Sequence, residues 1–123
     1  MDRRKALGAG GEAAACELLR KSGYRVLERN WRNRWGELDA VAWQDGQLVF
    51  VEVRSRSSGD FGTPAESVTA AKRRQLVKMA RLYLQEKAAD EQSCRFDVVE
   101  MEPRPAGGWQ GRVIRDAFAA DGR

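Results

Sequence analysis

Glu52 interrupts a run, Leu48-Val49-Phe50-Val51 followed by Val53, that otherwise reads as a strand buried on both faces. A lone carboxylate in such a run costs several kcal/mol unless a partner compensates it. A second acid, Asp39, ends the segment Gly36-Glu37-Leu38-Asp39 just ahead of Ala40-Val41-Ala42-Trp43. Gln44-Asp45-Gly46 joins the two runs, and Asp-Gly between apolar segments is one of the strongest short-range hairpin signals. Whether the turn holds two residues (Asp45, Gly46) or four (44–47), the strands pair so that Asp39 falls opposite Glu52 and Glu37 opposite Arg54. Opposed side chains share one face of the sheet with Cβ atoms about 5 Å apart, so two carboxylates there repel unless a proton or cation lies between them. An oxygen-seeking ion such as Mg²⁺, which takes one or two carboxylates plus water and substrate phosphate, would relieve that repulsion and acquire a chemical role. The competing reading is a half-exposed sheet surface with Glu37 and Arg54 as an ordinary cross-strand ion pair.

Histidine is absent from the 123 residues. That excludes a Ser-His-Asp or Cys-His nucleophile, a histidine-liganded zinc and a histidine general base. Carboxylates, lysines and arginines are left to carry any acid–base or metal chemistry. The two cysteines, Cys16 and Cys94, are far apart and form no CxxC pair, so they read as small buried apolar residues of a reduced, cytoplasmic interior. No stretch approaches the about 20 apolar residues of a membrane helix, and the start Met-Asp-Arg-Arg-Lys lacks a signal peptide's apolar run, so no membrane partner is expected. The formal charge of +4, from 22 basic and 18 acidic residues, suits a nucleic-acid partner and equally an ordinary solvated surface.

Positioning the carboxylates takes an α/β domain, and the length fits a single one over 1–123 with frayed tails at about 1–4 and 119–123. From about residue 6 an Ala- and Leu-rich segment carries Glu12 and Glu17 early, Arg20 and Lys21 late, and Gly23 just past its end, the pattern of a glycine-capped helix. Strands are expected over 24–31, 36–43, 47–56, 94–101 and 109–114. Near the hairpin turn both faces are apolar, Val41, Trp43, Leu48 and Phe50 on one and Ala40, Ala42, Val49 and Val51 on the other, which implies a sheet covered on both sides.

Residues 55–63 are polar and glycine-bearing, a mobile loop ahead of a second helix that starts at Thr63-Pro64-Ala65-Glu66 or at Thr69. Leu76, Ala80, Tyr83 and Leu84 form its core-facing stripe, while Lys72, Arg73, Arg74, Lys78 and Arg81 occupy its other faces. Trp31, Trp43 and Trp109 read as packing residues. Trp35, between Arg34 and Gly36 beside the carboxylates, is the best candidate for base stacking. Asp97 is read as structural.

The segment Gly36-Glu37-Leu38-Asp39, the strand from Val49 through Glu52-Val53-Arg54-Ser55-Arg56, and Phe61-Gly62 followed by Lys72-Arg73-Arg74-Gln75-Leu76 and Ala80-Arg81-Leu82-Tyr83-Leu84 resemble the YraN family of small bacterial proteins. With Gly11-Glu12 and Arg95-Phe96-Asp97-Val98-Val99 added, the resemblance covers most of the chain. That family is in turn similar to the archaeal Holliday-junction resolvases among the PD-(D/E)xK nucleases. The resemblance implies a restriction-endonuclease-like core, a central mixed β-sheet flanked by helices, with the motif aspartate at Asp39 and the D/E-x-K glutamate at Glu52. It places the first-helix glutamate at Glu12 and puts Arg54 where the motif usually has lysine. Guanidinium keeps its proton, so Arg54 cannot be a general base, although it can act as a fixed cation.

The expected activity is Mg²⁺- or Mn²⁺-dependent hydrolysis of DNA, branched DNA included, by Asp39, Glu52, Arg54 and Glu12. Arg56, Lys72, Arg73 and Trp35 are the candidate DNA contacts, and a homodimer is expected because resolvases cut as dimers. The alternatives are a nucleic-acid-binding module of the same fold with its chemistry weakened or lost, and a basic face that docks an acidic protein.

Overall fold

The computed structural model describes residues 7–56 and 68–120, in the order α1 (Gly8–Lys21), β1 (Arg25–Asn33), β2 (Gly36–Gln44), β3 (Gln47–Ser55), α2 (Ala70–Glu86), β4 (Cys94–Pro103) and β5 (Trp109–Phe118). Of the expected mobile loop, residues 57–63 lie outside the described residues, as do the earlier helix start at Thr63 and the tail positions 1–4 and 121–123.

The strands form one five-stranded mixed sheet in the order β1-β2-β3-β4-β5, antiparallel except for the parallel β3–β4 step. A parallel step cannot be made by a tight turn, and α2 falls within the connection that makes it. The β2–β3 hairpin turns on Asp45 (φ 53°) and Gly46 (φ 77°), two consecutive positive φ values that match strand twist. Its register, Gln44 with Gln47 through Ala40 with Val51, is the expected one.

Local chemistry fixes both helices. At the end of α1 the Gly23 N–H bonds to Arg20 O (3.1 Å) and the Tyr24 N–H to Leu19 O (2.9 Å), a Schellman closure that needs the left-handed Gly23 (φ 90°). At the start of α2 the Thr69 hydroxyl accepts from the Lys72 N–H at 3.1 Å, which selects the later of the two expected starts. The stripe Leu76, Ala80, Tyr83 and Leu84 is buried.

Apolar residues cover both faces of the sheet. Val41, Leu48, Phe50, Phe96 and Val98 pack with α2, and Ala40, Ala42, Val49, Val51, Val53 and Val99 pack with Ala15 and Leu19 of α1. A fully buried side chain such as Phe50 or Leu19 contributes about 1.5–3 kcal/mol. Trp31 meets Tyr83 edge-on at 5.3 Å, Trp43 packs against the α2-side core, and Trp109 packs on the α1 side. β5 runs past the expected residue 114 to Phe118, whose ring stacks on Phe96 at 4.9 Å after a bulge at Asp116.

One buried polar cluster lies on the α1 side, near the hairpin turn. Tyr24 Oη donates to Asp97 Oδ2 (2.5 Å), Arg95 Nε donates to Asp97 Oδ1 (3.1 Å), and the Arg95 guanidinium also reaches Gln44 and Gln47. Burial, then the hydrogen bond to the Asp97 carboxylate, pushes the Tyr24 hydroxyl up to about 12. Burial, then a hydrogen bond to Glu28, also raises Tyr83.

A phenol whose folded-state pKa is raised stabilises the fold fully below its unfolded value near 10 and loses that contribution as the pH climbs through the folded value. For Tyr24 the loss amounts to roughly 2–3 kcal/mol between about pH 10 and 12. An absorbance titration should therefore show neither of the two tyrosines ionising at the ordinary value in the native protein. Tyrosinate appearing near pH 10 without unfolding would contradict the buried pairing.

Candidate active site

Trp35, Asp39, Glu52, Arg54 and Arg56 lie toward one end of the sheet, where the β1–β2 turn, the C-terminal ends of β3 and β4 and the start of β5 meet. β2 and β3 stop pairing at Ala40–Val51, one step short of Asp39 and Glu52. The alternation of β2 slips at the same place. Ala40 and Ala42 face α1, and strict alternation would send Leu38 there too, yet Leu38 packs in the α2-side core with Val41. Asp39 is the residue of the slip, and its Oδ2 accepts from the Val53 N–H at 2.8 Å, in the place a β2 carbonyl would have taken. The two carboxylates therefore flank a point where the strands part, and they are not an in-ladder opposed pair.

Glu52 continues the α2-facing side of β3 after Phe50, and it is 2% exposed. Lys72 of α2 reaches it, Nζ to Oε2 at 3.5 Å. The sequence reading took Lys72 as a phosphate contact and left the carboxylates to repel each other. The structure instead gives Glu52 an ammonium partner and Asp39 a main-chain donor. The sequence signal for Lys72 was its place as the first cation of the basic helix.

Arg54 is half-buried and in register with Glu100 of β4. Glu37, expected to pair with Arg54, pairs in register with Arg32 of β1 at 3.2 Å, because β1 is its regular neighbour where β2 has left β3. Arg56 is exposed and borders a cleft with Glu100, Glu102, Gln110 and Arg112. Arg73 is turned elsewhere: its Nε donates to Val68 O at 2.9 Å and its guanidinium lies 5.8 Å from the Phe118 ring, so it braces the start of α2.

Glu12 is half-buried on α1, one turn before Cys16. Burial raises the Cys16 thiol; Arg29 and Arg20 oppose that rise, and Glu12 and Asp39 add to it. Among the described residues no group of three or more acidic or cysteine side chains is close enough together to hold a metal ion. Glu12 therefore does not complete a three-carboxylate cluster with Asp39 and Glu52.

Residues 11–101 match the model of a family described as "Uncharacterised protein family UPF0102". The chain belongs to the UPF0102 family. It is 51% identical over 120 residues to the UPF0102 protein of Symbiobacterium thermophilum, covering 98% of this chain and 100% of that one. It is 50% identical over 119 residues to the UPF0102 protein of Moorella thermoacetica, covering 94% and 97%. The YraN-like resemblance read from the sequence is borne out by these UPF0102 matches. Among solved structures, SfsA of Pyrococcus furiosus in complex with Ca²⁺ is similar at 16% identity and a TM-score of 0.41, over 83% of this chain. This chain spans 59% of that one. No helix among the described residues of this UPF0102 protein is long and apolar enough to cross a membrane.

Proposed function

We propose that this UPF0102 protein is a metal-dependent DNA endonuclease of the PD-(D/E)xK type, resolvase-like, in which Asp39 and Glu52 hold Mg²⁺ or Mn²⁺. The observation that carries the reading is the buried Glu52 carboxylate paired with Lys72 beside the strand opening that Asp39 occupies. The donors suit such an ion by their chemistry: hard carboxylate oxygens from neighbouring strands, in a chain without histidine. Mg²⁺ takes such a set and fills its other positions with water and phosphate oxygens. Bound there, the ion supplies Lewis-acid stabilisation of the phosphoryl oxygens and a more acidic water.

The chain's own residues supply the rest. Lys72 comes from the helix to the glutamate that in the motif is followed by a strand lysine, so an ammonium stands at the site although Arg54 takes the strand position. It can leave Glu52 for a phosphate oxygen, or give or take a proton, which Arg54 cannot. Arg54 acts as a permanent cation that orients the phosphate. Glu12, half-buried on α1, is a further acid whose field reaches Cys16 together with that of Asp39. Paired strand cuts in branched DNA call for two active sites, hence a homodimer.

The test incubates four-way and linear DNA with the protein in Mg²⁺, Mn²⁺ or EDTA. Nicks that need either metal are expected, with binding retained in EDTA. Arg54 in the usual lysine place favours one other reading, a binding module of the same fold. Tight metal-independent binding without cleavage would select it.

A further inference from the structure

Trp35 is 50% exposed, whereas Trp31, Trp43 and Trp109 are all taken up in packing. Its backbone is fixed at both ends. The Trp35 N–H bonds to Asn33 Oδ1 at 2.8 Å, and its carbonyl accepts from Gln75 Nε2 of α2 at 2.7 Å. Gly36 permits that approach: a Cβ there would come within 2.6 Å of Gln75 Nε2, at a φ of +154°. Two cations flank the ring, Arg34 at 4.8 Å and Lys78 Nζ at 4.5 Å from its centroid. Lys78 and Lys72 sit on the same helix, six residues and about 9 Å apart along its axis. That distance spans about three stacked nucleotides.

Resting on the proposed nuclease reading, we infer that Trp35 is a stacking platform for an unpaired base of the DNA strand that enters the Asp39–Glu52 site. A half-exposed indole on a pinned backbone offers a flat π-face to any base, and the Arg34 and Lys78 cations on flexible stems can move from the ring to the phosphates on either side of that base. A base inside an intact duplex cannot offer its face, so the substrate class is duplex DNA bearing an unpaired nucleotide next to the scissile bond, as at a junction or a flap.

The test measures binding by fluorescence anisotropy in EDTA, which needs no cleavage. It compares a blunt duplex with the same duplex carrying a short single-stranded extension, for wild type, Trp35→Ala and Trp35→Phe. The wild type should favour the extended DNA by about tenfold, the size of one base stacked on an aromatic side chain. Trp35→Ala should remove that preference with little effect on the blunt duplex, and Trp35→Phe should keep part of it. The backbone bonds that hold the residue do not depend on its side chain, so the alanine variant keeps its fold. Equal weakening of both DNAs by Trp35→Ala, or no change in either, would overturn the platform. If the preference depends on Trp35 but no metal cleaves the DNA, the nuclease reading falls and the platform stands. Cleavage with no preference for unpaired bases is the reverse result. Failure of the wild type to bind either DNA would overturn both.

Discussion

Replacing Glu52 by glutamine should reduce metal-dependent DNA cleavage by about a thousandfold, the consequence of losing roughly 4 kcal/mol of transition-state stabilisation. The substitution keeps the size and hydrogen-bonding capacity of a side chain that is 2% exposed, and it removes the charge a divalent ion requires. Without metal the fold should change by less than about 1 kcal/mol. Lys72, whose side chain is 27% exposed, can turn to water when its partner is neutral, and a buried amide is less costly than a buried carboxylate. If the two carboxylates only repelled each other, as the sequence pattern implies, removing one would leave the stability of the metal-free protein unchanged or raise it. The Lys72 pair and the Val53 N–H bond to Asp39 take away most of that expected gain.

With Mg²⁺ or Mn²⁺ the wild type should gain stability by mass action, about 2.7 kcal/mol at a hundred times the dissociation constant, and Glu52→Gln should not. Lys72→Arg and Lys72→Met then divide the work of the ammonium. A fixed-cation role survives in the arginine variant, whereas a proton-transfer role is lost in both. A wild type whose melting temperature ignores saturating metal, together with a clear loss of stability in Glu52→Gln under EDTA, would make Glu52 a structural partner of α2 and leave the binding module as the better reading.

The hairpin register was legible because Asp45-Gly46 dictates the turn and the turn dictates the pairing. The end of that pairing was not legible. Alternation through Leu38 looks continuous in the sequence, and only the packing of Leu38 into the α2-side core breaks it at Asp39. Which helix cation meets Glu52 was hidden for a related reason. The sequence places Lys72 and Arg73 alike off the apolar stripe, and neighbouring residues on a helix point about 100° apart, so only the docking of α2 on the sheet decides which of them reaches Glu52. The Thr69 cap accompanies the orientation seen: Lys72 goes to Glu52 and Arg73 to Val68 O. The full length of β5 was masked by Arg115-Asp116, polar residues at a bulge that then delivers Phe118 to Phe96. Each miss depends on a contact between residues far apart in the chain, which local pattern does not encode.

Asp97→Ala should be among the most destabilising single changes in the chain, at about 3–5 kcal/mol in urea unfolding. Asp97 is completely buried and accepts from Tyr24, from Arg95 and from the Asp116 N–H at the β5 bulge. Removing it leaves the Arg95 guanidinium, on a side chain only 6% exposed, without its carboxylate, and leaves the Tyr24 hydroxyl and a main-chain donor without acceptors. Asp97→Asn keeps some of the hydrogen bonds and should fall between wild type and alanine.

The loss should be strongly non-additive with Arg95→Met, because the cost of Asp97→Ala is largely that of the stranded charge. In the Arg95→Met background the same change should cost about 1–3 kcal/mol less. Tyr24 supplies an independent readout: burial keeps its hydroxyl raised, but the part of the rise that comes from the Asp97 carboxylate should go, so it should titrate below about 12 in Asp97→Ala. The cluster lies on the α1 side of the sheet, whereas Glu52 faces α2 and Lys72, so the metal-dependent gain in stability should survive in Asp97→Asn under conditions where that variant is folded. An Asp97→Ala protein within about 1 kcal/mol of wild type, with Tyr24 still titrating at about 12, would mean that water solvates Arg95 after all and that the cluster does not hold this face of the sheet.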